Sequence, residues 1–268
     1  MAILLTVLLA EWLAGRHKGL YGKNDYLVNG LCALLGFTIR PLLALSVALF
    51  IGAVVPVAQG SFSDWPFWPS LIAILVLADF CMYWLHRWSH INRQNPVFNW
   101  IWKLHRTHHT AKYVNVLLHF RINLFWGMVT PVTWVHSLAF YLGLQEPAIV
   151  SILIFSIWGI FTHSHFRWDD TLRRHQWLGK PFRALEHIIV SPGIHHTHHG
   201  YGRDGKHYRN FGLVLSVFDW LFGSLHIPEG RPQNYGLAER RPHWAEEVFY
   251  PVYQEKFSRY LATAKDSA

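Results

Sequence analysis

Histidines at short, regular intervals are the residues of this chain best suited to chemistry. They form three clusters: His86-x-x-x-His90, His105-x-x-His108-His109 and His195-x-x-His198-His199. Imidazole binds iron, zinc, copper and nickel, and residues three or four apart on a helix share one face. Each cluster is therefore expected to aim two or three imidazoles at one point. Eight such ligands are too many for one ion and enough for two.

Apolar segments of nearly membrane length separate these clusters. Hydrophobic residues make up 51% of the 268-residue chain and charged residues only 15%, which favours a membrane protein. A bilayer core of about 30 Å needs roughly 20 apolar residues per helix. Four segments approach that length and predict two hairpins, 41–57 with 67–85 and 122–142 with 147–162. Residues 1–14 and 26–39 are apolar but short, and whether they span the membrane stays open.

Basic residues predict the orientation of the hairpins, because Lys and Arg mark the cytoplasmic side. They lie at the open ends of both hairpins: Arg40, Arg87, Arg93, Lys103, Arg106, Arg121, Arg167, Arg173 and Arg174. The histidine clusters lie at the same ends, so we expect them to meet in a cytoplasmic helical cap. Asn95-Pro96 and Ser191-Pro192 each place a capping residue before a proline, which predicts a helix start before each HxxHH motif.

The predicted fold is all-α and forms a single membrane domain. Residues 1–65 would supply N-terminal membrane segments, 66–226 the catalytic region and 227–268 a cytoplasmic tail. Cys32 and Cys81 lie in apolar runs and indicate no disulfide framework or CxxC metal site. The net charge is +8, but the basic residues flank the histidine clusters, which argues against nucleic-acid binding and for contact with anionic lipid or an acidic protein.

The residues around the histidines carry a family resemblance over about 70–225. The pattern resembles the integral-membrane fatty acid hydroxylase and sterol desaturase superfamily. Its first box is matched by Asp79-Phe80, Tyr83-Trp84 and His86-Arg87, its second by Trp102, His105, His108 and His109, and its third by Glu186, Ser191-Pro192, His195, His198, His199, Asn210 and Gly212. Residues 218–223 are similar to the aromatic segment that follows. Where many relatives have Asn-Tyr-Gly, this chain has Phe211, so any role of that tyrosine hydroxyl is absent.

The resemblance implies an O2-dependent oxidoreductase that hydroxylates or desaturates a sterol, fatty acyl chain or related lipid at two histidine-bound iron ions. It also implies His163 as a further metal ligand. No flavin, haem or nicotinamide domain is visible, so electrons are expected from an external cytochrome or ferredoxin with its reductase. An acidic carrier would suit exposed charges such as those of Arg93, Lys103, Arg173 and Arg174. The particular lipid, the position of attack and the choice between hydroxylation and desaturation do not follow from the sequence.

Asp79 and Asn210 are the candidate residues behind the ligands. Asp79 is an ionisable group in an apolar run, which is costly in lipid and suggests function. It lies about 10 Å along a helix from His86. We therefore expect its carboxylate either to orient an imidazole of another cluster or to bond a neighbouring helix. Asn210 is placed in the same supporting role by the third box.

The other histidines are expected to lie outside the metal site. His165 would face away from it, and His196 would contact solvent or a lipid headgroup. The rest have no comparable spacing: His119, His136, His175, His187, His207, His226 and His243. Two alternatives to the oxygenase also remain, a zinc-dependent membrane hydrolase that uses metal-bound water and a non-enzymatic metal-binding or haem-binding membrane protein.

Overall fold

A computed structural model describes residues 2–255 of the protein, and this part of the chain is predominantly helical. The α-helices are α1 Ala2–Leu13, α2 Lys23–Thr38, α3 Arg40–Val54, α4 Phe67–Ile91, α5 Asn99–His109, α6 Trp126–Val129, α7 Pro131–Tyr141, α8 Gln145–His163, α9 Trp168–Arg174, α10 Gly179–Leu185, α11 Pro192–His199, α12 Val217–Leu221 and α13 Trp244–Phe249. Short 3-10 helices cover Pro56–Ala58 and Val116–Phe120. Strand β1, Gly200–Tyr201, pairs antiparallel with β2, Asn234–Tyr235.

Two helices, α4 and α8, are long and apolar enough to cross a membrane. Helices α2 and α3 pass the same test only as a pair, bent by 42° at the break between them. The described residues therefore hold two membrane-length helices, or three if the bent pair forms one span. Helix α1 is apolar but has only 12 residues. Three of the four predicted segments are confirmed as helices, α3, α4 and α8.

The fourth predicted segment, residues 122–142, is wrong as one continuous helix. Only Pro131–Tyr141 is a helix of some length, and its 11 residues extend roughly 16 Å, about half of a bilayer core. Pro131 explains the start, since proline has no N–H to continue a helix from the preceding turn. Thr130, directly before it, has an extended backbone, as proline favours.

Helix α4 lies at the centre of the packing. Its contacts include α7 on one side and α8 on another, and α7 also packs against α3. Ala78 and Tyr83 of α4 are fully buried. The helix continues to Ile91, beyond the predicted membrane segment, so both His86 and His90 lie on it. The two predicted hairpins and the cytoplasmic side of the cap remain predictions.

Residues after 226 pack against the rest of the structure as far as they are described. Helix α13 contacts α2 and α5, and Val248 within it is fully buried. The backbone N–H of Leu124 donates to the carbonyl of Val248 (3.0 Å). The division of the chain into the regions 1–65, 66–226 and 227–268 stays a prediction, and residues 256–268 lie outside the described part.

Candidate metal centre

The structure brings all nine predicted metal ligands together, in two groups. The five-histidine group consists of His86, His90, His105, His109 and His198. The four-histidine group consists of His108, His163, His195 and His199. Within each group, one ring nitrogen of every member lies within 4.8 Å of those of the others, and all nine side chains are buried. Helices α5 and α11 supply both groups, so the groups lie side by side.

Each HxxHH motif divides between the two groups. His105 and His109 of α5 belong to the five-histidine group, and His108 between them belongs to the other. In α11, His198 joins the five-histidine group, whereas His195 and His199 join the four-histidine group. Successive residues of a helix are rotated by about 100°, so adjacent histidines cannot face one ion, whereas residues four apart differ by only about 40°. Of the two or three imidazoles expected at one point, each HxxHH motif thus supplies two to one group and the third to the other.

Backbone carbonyls orient four of these histidines. The Nδ1 of His86 is 2.7 Å from the Phe211 carbonyl oxygen, that of His198 is 2.8 Å from Arg209 O, and that of His163 is 2.7 Å from Gly159 O. A longer contact of 3.3 Å joins His108 Nδ1 to Arg121 O. A carbonyl only accepts, so in these rings Nδ1 is the donor and Nε2 carries the free lone pair that a metal requires.

The ring nitrogens fit a bound metal in two respects. The first is that several are buried without a hydrogen-bond partner: Nε2 of His86 and His198, and both nitrogens of His90. Buried polar atoms are normally satisfied, so this concentration of free nitrogens indicates a missing common partner. The second is spacing. Nε2 atoms in the four-histidine group are 3.1 Å apart for His163 and His108, 2.9 Å for His195 and His163, and 3.0 Å for His199 and His195.

These separations are near those of nitrogens that share one ion. Ligand nitrogens about 2.1 Å from a metal lie roughly 3.0 to 3.4 Å apart at neighbouring coordination positions. Neither group contains a carboxylate. A centre built from imidazole alone suits iron, zinc, copper or nickel and disfavours magnesium or calcium.

Burial also keeps the imidazoles neutral. It lowers the pKa of His108 to about 3, and nearby histidines add to the effect. Burial likewise holds the pKa of the other ligands on α5 and α11 well below the ordinary value: His105, His109, His195, His198 and His199. Because only the neutral ring can coordinate, these histidines are ready for metal near pH 7 without losing a proton.

Asp79 supports the site through the backbone and not through an imidazole. Its carboxylate accepts from three consecutive backbone N–H groups, those of residues 213–215, at 3.1, 3.1 and 2.5 Å. This loop follows Phe211, whose carbonyl orients His86. The partner of Asp79 is therefore a loop. It is neither an imidazole of another cluster nor a neighbouring helix, the two partners that were expected. Asp219 was missed from the sequence and holds the same loop, accepting from the N–H groups of Phe211 and Gly212 (both 2.8 Å).

Asn210 joins that loop to α11. Its side-chain amide donates to the carbonyls of Ile194 (3.0 Å) and His226 (2.8 Å), and its Oδ1 accepts from the His226 N–H (2.7 Å). Its φ of 62° is in the left-handed region, which asparagine tolerates better than most residues. Asn210 therefore helps to position α11 beside His195 through the backbone. Its side chain has no hydrogen bond to a ring nitrogen of the two groups.

A buried network of charges fixes the start of α11. The Ser191 side chain accepts from the Ile194 N–H, which confirms the predicted cap. The Arg173 guanidinium pairs with Glu186 (2.6 Å) and Asp169 (2.7 Å), and Asp169 also accepts from the Gly193 N–H (2.7 Å). A Cβ at Gly193 would come within 2.4 Å of Arg173, so any larger residue would displace side chains of this network. Arg173 is buried, and its expected role as an exposed charge for an electron carrier is wrong.

Asn95 likewise precedes α5 as a cap, with its Oδ1 accepting from the N–H groups of Val97 (2.9 Å) and Phe98 (3.1 Å). The regular helix begins four residues later, at Asn99. The predicted helix start at Asn95-Pro96 is therefore wrong by three residues, because Asn95 caps a turn over residues 96–98 and Phe98 is the N-cap of the helix.

A cavity of about 280 Å³ opens beside the histidines. Five of the nine histidines contribute to its lining: His86, His105, His108, His163 and His195. The lining also includes Trp126, Val132 and Phe155. Most of it is apolar, so a hydrocarbon chain could lie beside the histidines.

Two histidines outside the spaced clusters border the centre and were missed. His119 lines the cavity, its ring is 5.5 Å from that of His163, and a Cβ at Gly159 would come within 2.4 Å of it. Burial, with a smaller contribution from the charge of Arg40, lowers the pKa of His119 to about 4. The ring of His207 is 6.0 Å from His109. Only the folded chain brings these residues close, so no spacing in the sequence could have identified them.

His196 differs from the expectation of solvent or headgroup contact. It is buried, and its Nδ1 is 3.2 Å from the Tyr235 hydroxyl. His165 stands outside both histidine groups, as expected, and its backbone N–H donates to Glu11 (2.6 Å).

Comparison with known proteins connects this centre to a family. The chain is 26% identical to the alkylglycerol monooxygenase of Danio rerio over 202 residues, which are 73% of this chain and 39% of the relative. It is 21% identical to a Delta(7)-sterol 5(6)-desaturase of Gibberella zeae over 175 residues, 65% of this chain and 42% of that protein. The chain thus spans about two-fifths of the length of these relatives. No solved structure matches it significantly.

The fatty acid hydroxylase family model matches residues 71–224, which is more than half of the chain. The match includes every member of both histidine groups. This chain therefore belongs to the fatty acid hydroxylase family, within the fatty acid hydroxylase and sterol desaturase superfamily.

Proposed function

We propose that this protein oxidises a C–H bond of a membrane lipid with O2, using two iron ions held by the two histidine groups. The single observation that carries the proposal is the joint placement of both groups at the wall of one largely apolar cavity. Family membership supports lipid oxidation by a membrane oxidoreductase. To this the proposal adds three specific points: two iron ions, the named histidines as their ligands, and a membrane lipid as the substrate.

In the proposed centre, each histidine group holds one ion. When bound, iron supplies the redox chemistry that activates O2 against an unactivated C–H bond. Hydroxylation balances as RH + O2 + 2 electrons + 2 protons → ROH + H2O. Desaturation uses the same inputs, takes two hydrogens from neighbouring carbons and releases two waters. The cavity residues orient the lipid and exclude bulk water, which limits side reactions.

Electrons are proposed to come from a separate protein, an acidic cytochrome or ferredoxin with its reductase. Basic residues remain on the surface near the centre after Arg173 is excluded. A cleft lined by Arg93, Lys206 and Arg209 also includes His207, whose ring is near that of His109. We place this face in the cytoplasm, as the basic residues predict.

The absence of carboxylates from both groups favours this proposal over the zinc hydrolase. A hydrolase of that class usually has a carboxylate near its metal as acid or base, and none occurs in either group of the described residues. Two adjacent groups with nine imidazoles also exceed what one structural ion requires.

Lipid analysis in cells tests the proposal. We expect extracts of cells that lack the protein to accumulate a lipid which, in complemented cells, gains one oxygen or loses two hydrogens. The purified protein should perform the same conversion with O2, a reductase and an acidic one-electron carrier, and should be inactive without the carrier. The matched control is His108→Ala, in the four-histidine group, which should not complement although it is produced and inserted. Identical lipid profiles in all strains, with no oxygen consumption in the reconstituted system, would contradict the proposal.

A further inference from the structure

Arg40 is the cationic residue of the cavity wall. It is the first residue of α3, directly after the bend that separates α2 from α3. Its Nη2 donates to the Ile122 carbonyl (2.8 Å), and its Nε is buried without a hydrogen-bond partner. No carboxylate within residues 2–255 forms an ion pair with it. Arg40 thus lines the cavity with a guanidinium that has an unused donor and no paired carboxylate among the described residues.

Two other buried arginines, Arg121 and Arg173, differ from Arg40 because each forms ion pairs with carboxylates. Arg121 is fully buried and pairs with Glu247 (2.5 Å) and Asp25 (3.3 Å). Arg173 pairs with three carboxylates, those of Asp169, Asp170 and Glu186. Removing a charge from water is costly unless a partner compensates it. Arg40 lacks such a partner and lines a cavity in which a ligand could provide it.

The chemistry of the guanidinium defines what would pair with it. Its fixed fork of N–H donors matches carboxylate and phosphate oxygens, often through two parallel hydrogen bonds. A neutral hydroxyl offers neither the charge nor the second acceptor. The same cavity carries His86, His108 and His163 and an apolar wall. A ligand that satisfies both parts has an anionic head and a hydrocarbon chain.

We infer that Arg40 binds the carboxylate or phosphate headgroup of an amphiphile whose hydrocarbon chain lies in the cavity along the histidine wall. The identification of this amphiphile as the substrate rests on the proposed function, whereas its binding does not. Arg40 would then select anionic over neutral lipids and fix which part of the chain faces the histidines.

Binding to the purified, metal-loaded protein tests the inference without turnover. Four probes are compared: palmitate, hexadecyl phosphate, hexadecanol and inorganic phosphate. We expect one or both anionic amphiphiles to bind more tightly than hexadecanol. Arg40→Gln should weaken that binding roughly 10- to 100-fold, the usual value of hydrogen bonds to a charged group. Arg40→Lys should retain part of it, and hexadecanol binding should not change.

A second pair of variants keeps Arg40 in place. A Cβ at Gly36 would lie 3.1 Å from Arg40 Nη1, close enough for an aspartate there to pair with the guanidinium. Gly36→Asp should therefore weaken binding of the anionic amphiphiles, and the equally shaped Gly36→Asn should do so much less. This pair decides the question if Arg40→Gln does not fold. Arg183→Gln, which removes a surface charge paired with Glu229, is the control for net charge.

The outcomes separate the inference from its rivals. Equal effects of Arg40→Gln on palmitate, hexadecyl phosphate and hexadecanol would overturn it, as would no effect on any. Displacement of the anionic amphiphiles by millimolar inorganic phosphate at an Arg40-dependent site would assign the site to a free anion and also overturn it. Arg40-dependent binding of an anionic amphiphile by a protein that oxidises no lipid would support the inference and refute the proposed function.

Discussion

The two histidine groups share two helices and differ in the third. Helices α5 and α11 contribute to both, whereas α4 contributes only to the five-histidine group and α8 only to the four-histidine group. Each group is thus attached to one of the two membrane-length helices. Helix α4 provides His86 and His90, but α8 provides His163 alone, at its last residue.

This difference predicts unequal tolerance to damage. Loss of one ligand leaves four imidazoles in the five-histidine group, enough for a complete tetrahedral site, but only three in the other. The hydrogen bonds that orient the imidazole rings differ as well. The His163 ring is fixed through Nδ1 by the Gly159 carbonyl, whereas neither nitrogen of His90 has a hydrogen-bond partner. We therefore expect the four-histidine group to be the more sensitive of the two.

The largest effect is expected from His163→Ala. Metal content should fall by about one ion per chain, and turnover should fall at least 100-fold, because only three histidines would be left to hold the ion of the four-histidine group. Metal analysis and the lipid assay measure both quantities, with His226→Ala as a control that should be nearly silent. A His163→Ala protein with two metals and wild-type turnover would remove His163 from the centre.

A smaller effect is expected from His90→Ala. Four histidines remain, two of them oriented by backbone carbonyls. Two metals should therefore still bind when metal is in excess, with affinity at the five-histidine group lowered roughly 10- to 100-fold. Titration with a competing chelator measures this affinity. If His90→Ala loses its metal as completely as His163→Ala does, the proposed difference between the groups is wrong.

The smallest effect is expected from Asp79→Asn, which keeps the ligands and weakens their support. The amide cannot accept all three backbone N–H groups of residues 213–215, and a donor left unsatisfied costs about 1–3 kcal/mol. We expect a lower melting temperature and weaker metal binding at the five-histidine group alone. The exposed Asp64 supplies the control Asp64→Asn. Equal metal loss from both groups would show that Asp79 supports the fold as a whole.

The parts of the site that could be predicted from the sequence depend on local spacing. The histidine boxes, the Ser191 cap and the helices α3, α4 and α8 follow from helical periodicity and from long apolar runs. The opposite division of the two HxxHH motifs also follows in principle, since adjacent helical residues point about 100° apart. The sequence does not predict which group receives His105 and His109 and which receives His195 and His199, because this depends on how α5 and α11 cross.

The parts that could not be predicted depend on contacts between distant segments. The loop that Asp79 holds is more than 130 residues away in the chain, and His119 meets Gly159 only in the folded protein. Arg40 is one basic residue among many in the sequence, and only its position at the cavity without a carboxylate distinguishes it. Apolar composition at residues 122–142 also concealed the break before Pro131, where tertiary packing and a proline outweigh hydrophobicity.

Metal analysis of protein purified without chelators tests the central claim most directly. Because zinc also binds imidazole well, the metal that supports turnover must be identified by loading and activity, not by occupancy in an overexpressed sample. The account predicts two ions per chain in the active protein, with iron supporting lipid oxidation. Full activity at a reproducible content of one ion per chain would contradict the two-metal centre.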